Sequence, residues 1–286
     1  MSEANAVAIE AWNTFLFDKF SKFRDVMVAG LAIHGDACLD RYPPPAGGRV
    51  LDIGCGFGDA TQQIAKMVGP HGEAVGLDAA PRFIDLCINE ARDAGVKNAR
   101  FKAADVESAP LEGPYDYAFS RFGVMFFANP VVALRNIRKA LKPGSRFAAA
   151  VWRRKDENPW LYEAEQRALK IVPRPEETED QITCGPGPFS MAGPDLVSAQ
   201  MQAAGFTRVS FERFDCDICL GANVARAVDA AMAVGPAGEL LRLAGEDAER
   251  KRPLLEATLS ELFATWTRSG AVYGKSSSWI VSAVAP

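Results

Sequence analysis

The chain of 286 residues has only two histidines, His34 and His71, so few side chains could do acid–base work near neutral pH. Long apolar runs are missing too. No stretch approaches the roughly 20 apolar residues that would span a bilayer. Glu3 and Glu10 stand where a secretory leader would carry a basic start and an apolar run. No membrane partner is expected, and the cytoplasm is the expected location. The cysteines at 38, 55, 87, 184, 216 and 219 are scattered, which reads as reduced thiols and not as a disulfide framework. Cys216-Asp217-Ile218-Cys219 is a lone CxxC with no second pair and no nearby histidine to complete a four-ligand zinc site, so no metal is expected. Positive charge is not in excess: Lys plus Arg is 32 against 36 for Asp plus Glu, a net charge of −4. Such a chain has no overall attraction for phosphate backbones, and no nucleic-acid partner is expected. Arg153, Arg154 and Lys155 form the only compact basic group and read as a solvated loop.

What is present is apolar material, 48% hydrophobic against 24% charged, enough for a sizeable core. The first 45 residues read as helical, over 11–23 and 26–39, and end at Tyr42-Pro43-Pro44-Pro45-Ala46-Gly47-Gly48. From there short apolar runs alternate with helical stretches. Strands are expected over 49–53, 73–77, 99–103, 115–120, 146–152, 207–214 and 278–284. Helices are expected over 59–68, 81–94, 130–141, 160–171 and 194–204. Such alternation means a mainly parallel sheet with helices on both faces. Residues 173–191 read as a loop. Residues 222–268 read as helices split near Gly235-Pro236 and Arg252-Pro253. They sit between two expected strands, so they are read as a cap on one fold.

The informative segment is Val50-Leu51-Asp52-Ile53-Gly54-Cys55-Gly56-Phe57-Gly58-Asp59, an apolar strand running through a glycine turn into a helix. Alternate glycines remove Cβ atoms where the chain must bend sharply and approach a ligand. In open α/β sheets this first turn lies at the ligand cleft. A dinucleotide site wants its third glycine at position 59. Asp59 stands there instead, an unfavourable neighbour for pyrophosphate at a helix N-terminus. The spacing present, Asp-x-Gly-x-Gly-x-Gly, resembles the signature of class I S-adenosylmethionine methyltransferases, whose cofactor carries no phosphate.

Gly76-Leu77-Asp78-Ala79 ends the second strand with a carboxylate suited to ribose hydroxyls, a feature that NAD would also satisfy. The resemblance implies that Ala104-Asp105-Val106 holds the adenine. It places Ser120 on the methionine arm, and Leu141-Lys142-Pro143-Gly144 matches the family's turn before strand five. Asp52, Gly54, Cys55, Gly56, Gly58, Asp78, Ala79, Ala104, Asp105, Val106 and Ser120 are therefore the expected cofactor residues. Trp12-Asn13, the run from Ser120 to Phe127, and Gly187-Pro188-Phe189-Ser190 are similar to the ubiquinone/menaquinone-type (type 11) small-molecule subgroup. The implied fold is Rossmann-like α/β, a seven-stranded, mostly parallel sheet flanked by helices. N-terminal helices and a helical insertion before the last strand form its cap. One domain spans 1–286, with a lid at 1–45, a cofactor core at 46–152, the rest of the sheet layer at 153–221 and 270–286, and the cap at 222–269.

The implied activity is methyl transfer to a small apolar or aromatic metabolite, at oxygen or carbon. An NAD-type oxidoreductase and a cofactor-binding protein without catalysis are the alternatives, and a homodimer is compatible with either. The protein must align a nucleophile and exclude water, and a base is needed only if the acceptor must lose a proton. His34 and Arg121 are the catalytic candidates, each with a structural role as the rival reading. His71 reads as surface. Trp12, Phe15, Phe122, Trp152 and Phe189 are candidates for the acceptor pocket, whereas Phe126 and Phe127 read as core.

Overall fold

The computed structural model describes residues 3–173 and 187–286. The N-terminal segment is helical in three pieces: α1 (Glu3–Ala11), α2 (Phe17–Lys22) and α3 (Arg24–Arg41). A π-helical turn, Trp12–Leu16, joins the first two, and Thr14 leaves the helical region at φ −123°, ψ −107°. The helix expected over 11–23 is broken because Thr14 Oγ1 donates back to the Glu10 carbonyl at 2.7 Å, a local bond that competes with helix continuation.

The parallel part of the sheet comprises β1 (Arg49–Ile53), β2 (Glu73–Asp78), β3 (Ala99–Ala103), β4 (Tyr115–Arg121) and β5 (Leu141–Trp152). Between them run α4 (Asp59–Val68), α5 (Pro81–Asp93) and α6 (Pro130–Ala140). Next come α7 (Pro159–Leu169), α8 (Pro194–Ala203) and β6 (Thr207–Gly221). The cap follows as α9 (Val224–Val234), α10 (Pro236–Leu243) and α11 (Ala248–Thr265), before β7 (Thr267–Arg268) and β8 (Ala271–Val284).

Strand order is β3-β2-β1-β4-β5-β8-β6, with β8 antiparallel to both of its neighbours. Leu51 pairs with Val75 on one side and Ala118 on the other, so β1 lies where the strand order reverses. That reversal opens a cleft at the carboxyl ends of β1 and β4. The central strands are buried on both faces, as their unbroken apolar runs require. α3 packs beside α4, and α6 beside α8.

Further elements differ from the sequence expectation. β6 and β8 are far longer than expected, because Asp215–Gly221 pairs with the start of β8 in one continuous ribbon. An eighth strand, β7, forms a hairpin with β8 through Ser269 (φ 50°) and Gly270 (φ 87°), a two-residue turn in the left-handed region. α11 runs through Pro253 without a break. The missing N–H would have bonded near exposed Glu249, whose carbonyl water can satisfy.

The cap has its own apolar cluster, in which Leu240, Leu241, Leu255, Leu259, Leu262 and Phe263 pack on Ala164 and Ala168 of α7 and on Ile218 and Leu220 of β6. Arg226 of α9 reaches across to the N-terminal helices. It pairs with Asp25 at 2.6 Å and lies 4.4 Å from the centre of the Phe23 ring. Most of the loop expected over 173–191, and Cys184 with it, lies outside the described residues.

The exits of β1 and β4 touch through backbone. A Cβ on Gly123 would lie 2.7 Å from the Ile53 oxygen and 2.9 Å from Gly54 Cα. Neither atom is the end of a flexible side chain. Gly123→Ala should therefore destabilise the fold by about 1–3 kcal/mol, seen as a fall in Tm of about 2–4 °C for each kcal/mol. An unchanged melting curve would show that the strand exits have room to separate.

Candidate active site

The site grows from the turn after β1. Gly54 has φ 66°, and a Cβ there would meet Gly123 Cα at 2.8 Å, so only glycine fits both the angle and the contact. Gly56 has φ 51° for a different purpose: a Cβ there would project into open space, so bare backbone faces the cleft. Cys55 N–H donates to the Leu77 carbonyl and Gly58 N–H to the Cys55 carbonyl, both at 2.9 Å, which fixes the turn against β2. Gly58 caps α4.

Asp78, at the end of β2, accepts from Gly56 N–H at 3.0 Å through one oxygen and from Ala80 N–H at 3.0 Å through the other. Burial holds its carboxyl above the usual range, while N–H bonds from Ala80, Gly56 and Ala79 pull the other way. Ala104 N–H donates to the Asp78 carbonyl at 2.9 Å, which brings the Ala104-Asp105-Val106 turn beside Asp78 and Ala79. Asp105 accepts from Glu107 N–H at 3.0 Å and from Ser108 Oγ at 2.7 Å. Buried Asn5 of α1 also donates to it, at 3.0 Å. Val106 is buried, and its carbonyl accepts from Asn136 Nδ2 at 2.8 Å.

Ser120 is fully buried at the end of β4. Its hydroxyl donates to the Ile53 carbonyl at 2.8 Å and accepts from Val124 N–H at 3.3 Å, so it ties the two strand exits together. Arg121 makes a two-pronged pair with Asp59 at 2.6 and 2.8 Å. Burial works against its charge, but the Asp59 pair raises its pKa further still. The acidic residue at the first turn of α4 is thus neutralised by the strand beside it.

Asp52 does not face the cleft. It is buried and accepts from Thr61 Oγ1 of α4 at 2.6 Å, so a direct cofactor contact is not what the structure shows. Burial pushes its carboxyl up to about 7, against the Thr61 bond and the Arg121 charge.

A second group surrounds the ends of β4 and β5. Phe122 takes the left-handed conformation (φ 58°) and stacks on Trp152 with ring centres 3.9 Å apart. His34 stands edge-on to both rings and is wholly buried. Its Nδ1 meets Ser278 Oγ at 2.8 Å and its Nε2 meets Ser276 Oγ at 2.9 Å. Burial lowers its pKa to about 4, so the ring is neutral. An open nitrogen for general-base work is therefore missing at His34. Trp12 lies 5.4 Å from Phe126 and 5.1 Å from Phe20, next to the cluster that Phe57 of the glycine turn forms with Phe83. Phe126 is half-buried and shares this aromatic contact.

Phe189 packs near Lys155, and the neighbouring Ser190 Oγ donates to the Met125 carbonyl at 2.6 Å. Phe15 is not brought to the site: it is 37% exposed, with the Lys19 ammonium near its ring, because the π-turn rotates it outward. Arg153 also departs from expectation. It is buried, bonded to Asp215, Ser277 and Glu157, and lies over the Trp279 ring. His71 is exposed.

Several contributors carried little sequence signal. Asn13 Oδ1 accepts the Arg82 N–H at the start of α5 at 3.0 Å, a capping role with ordinary residue chemistry but a partner 69 positions away. Ser276-Ser277-Ser278 was the readable clue, a polar triplet inside an apolar strand.

Backbone-lined space over Gly56, carboxylates at the ends of β2 and β3, and a helix start already occupied by an Asp–Arg pair together suit a nucleoside cofactor without phosphate. That defines a class I S-adenosylmethionine-dependent methyltransferase. Residues 45–204 match the family described as a methyltransferase domain, and the chain belongs to that family. The ubiquinone/menaquinone biosynthesis C-methyltransferase of Stutzerimonas stutzeri is 30% identical over 178 residues, covering 58% of this chain and 67% of the relative. Among solved structures, the YcgJ protein of Bacillus subtilis superposes with a TM-score of 0.56 at 18% identity, covering 88% of this chain and 98% of that one. A SAM-dependent methyltransferase from Aquifex aeolicus gives 0.51 at 22% identity, covering 68% and 89%. At such identities the structures bear on the fold alone. Among the described residues no helix is long and apolar enough to cross a membrane.

The raised Asp52 has a measurable consequence. Stability from a carboxyl raised in the folded state is fully present below the ordinary carboxylate pKa, about 4, and is lost as pH rises through about 7. Asp52→Asn keeps an acceptor for Thr61 and removes this loss. The Tm of the variant minus that of the wild type should grow between pH 5 and pH 8, by about 2 °C or more. A constant difference would mean that Asp52 is ionised throughout that range.

Proposed function

We propose that the chain transfers the methyl group of S-adenosylmethionine to a small, uncharged, aromatic or apolar metabolite, at a ring carbon or an oxygen. One observation carries this reading. The stacked Phe122 and Trp152 rings stand at the ends of β4 and β5, next to Ser120, and the charged groups around them are already matched. Arg121 is held by Asp59, and Arg153 by Asp215 and Glu157. An ionic acceptor would have to break one of those pairs. Both rings are buried, so what they would give the end of the cleft is an apolar, aromatic wall, which suits a flat neutral ring.

The residues fit the cofactor. The backbone of Gly54 to Gly58 would lie along it, Asp78 would accept from the ribose hydroxyls, and Asp105 would accept from the adenine amine, with Val106 N–H on the ring. Ser120, wholly buried, would serve the methionine arm indirectly, by holding the exits of β1 and β4 together. S-adenosylmethionine supplies a methyl group on a sulfonium centre with its leaving group built in. The chain contributes alignment and exclusion of water. The helices α1 to α3 and the cap α9 to α11 serve as the lid over the cleft. Asn5 on Asp105 fastens the first helix at the adenine side, and Arg226 on Asp25 fastens the cap to the third.

Carbon is the favoured acceptor atom. A phenolic oxygen must give up its proton during attack, whereas an electron-rich ring carbon attacks first and sheds its proton afterwards. His34 has both nitrogens engaged and offers no base for the first route. The relatives named for ubiquinone and menaquinone C-methylation accord with this choice.

Two measurements test the reading. S-adenosylhomocysteine at about 100 times its Kd should stabilise the fold by about 2.7 kcal/mol, and NADH should not. Asp78→Ala should weaken S-adenosylhomocysteine binding at least tenfold, by roughly 1.4 kcal/mol or more. Unchanged affinity in calorimetry would remove Asp78 from the site. For the acceptor, methyl-labelled S-adenosylmethionine with reduced 1,4-naphthoquinone should yield a ring C-methyl signal by NMR. Transfer to amines or carboxylates, with none to neutral aromatic rings, would sink the proposed acceptor class.

A further inference from the structure

His34 is the side chain whose environment most exceeds what a core residue needs. It comes from α3, yet both ring nitrogens are fixed by serines of β8, Ser278 at 2.8 Å and Ser276 at 2.9 Å. Cys216 Sγ of β6 adds a contact at 3.4 Å. Its ring plane is thereby set from both ends. Three aromatic rings then stand edge-on around it. Trp152 lies at 4.9 Å and 81°, Phe214 at 5.3 Å and 84°, and Phe122 at 5.5 Å and 75°. Two of the three, Phe122 and Trp152, are themselves the stacked pair at the ends of β4 and β5.

Phe122 needs such support. A bulky residue at φ 58° is strained, and it holds only where its surroundings over-determine it. Its N–H is taken by the Ala150 carbonyl at 2.9 Å, one face of its ring is covered by Trp152, and the His34 ring stands against it. Relaxation of Phe122 to negative φ would turn its ring off Trp152.

We propose that His34 is a positioning residue for methyl transfer, a ring clamped by Ser276 and Ser278 that holds the buried Phe122 and Trp152 as one rigid acceptor shelf beside the cofactor turn. It acts through those two rings and does not itself exchange a proton with the acceptor. This rests on the reading that the shelf receives the acceptor, so its test needs a readout independent of turnover.

The stacked pair provides one. Near-ultraviolet circular dichroism of the wild type, minus that of Trp152→Phe, gives the band due to the ordered Trp152 ring. His34→Ala should lose at least half of that band while binding S-adenosylhomocysteine within twofold of wild type, and transfer to reduced 1,4-naphthoquinone should fall at least tenfold in kcat with little change in KM for S-adenosylmethionine. His34→Phe, which orphans the Ser278 hydroxyl while Ser276 keeps the Cys216 carbonyl, should recover part of the band when combined with Ser276→Ala and Ser278→Ala. If His34→Ala does not fold, Ser278→Ala alone should lose a smaller share of the same band. An intact band in these variants would overturn the proposal. So would loss of S-adenosylhomocysteine affinity in parallel with the band, which would mark a general structural role. If the wild type does not methylate the naphthoquinol, the acceptor reading fails, and the band still decides whether His34 holds the shelf.

Discussion

The close contact between the exits of β1 and β4 is the constraint on which the rest depends. Strand order reverses at this point, so the two strands must part to leave a cleft and yet stay close enough to share a core. Two glycines meet backbone to backbone, Gly54 on Gly123, and the Ser120 hydroxyl bridges to the Ile53 carbonyl. With that seam fixed, the glycine turn has one geometry. Its amide at Gly56 then reaches Asp78, and the Ala104 amide carries the position on to Asp105. The proposed cofactor cradle, spread over three strand ends, is thus held by a few backbone contacts and one buried hydroxyl.

Charge is handled the same way, by matching it inside the fold before any ligand arrives. Asp59 would repel an anion at the start of α4, but Arg121 takes both of its oxygens. Arg153, buried at the end of β5, is matched by Asp215 and Glu157. A buried charge without a partner is costly, so these pairs are not easily lent to a substrate. Beside these pairs the ends of β4 and β5 supply buried aromatic packing, Phe122 on Trp152. The same arrangement explains why imidazole chemistry is not prominent: the one buried histidine serves two serines and three rings.

Much of this was legible from residues alone. Val50 to Asp59 announced strand, turn and helix, and Asp78 and Asp105 fell at strand ends where expected. The misreadings share a physical cause. Thr14 broke a helix through a bond to Glu10, and the broken helix turned Phe15 to solvent. Arg153 looked like a solvated loop residue until Asp215, Ser277 and Glu157 were found around it. Asp52 belonged to the right motif but faced Thr61. In each case the decisive partner was either a competing local bond or a group remote in sequence.

The sequence by itself determined the class of protein, because alternating apolar runs and a glycine turn act through local backbone geometry. That geometry depends on a residue and its near neighbours. It left undecided which polar side chains face the cleft and which serve the core. Only the tertiary structure decided that Arg121 is matched by Asp59, that Asn5 rests on Asp105, and that His34 is clamped between serines 242 and 244 positions away. Hydrogen bonds and ion pairs act over a few ångströms in space and are indifferent to distance along the chain, so their partners are known only when the chain is folded.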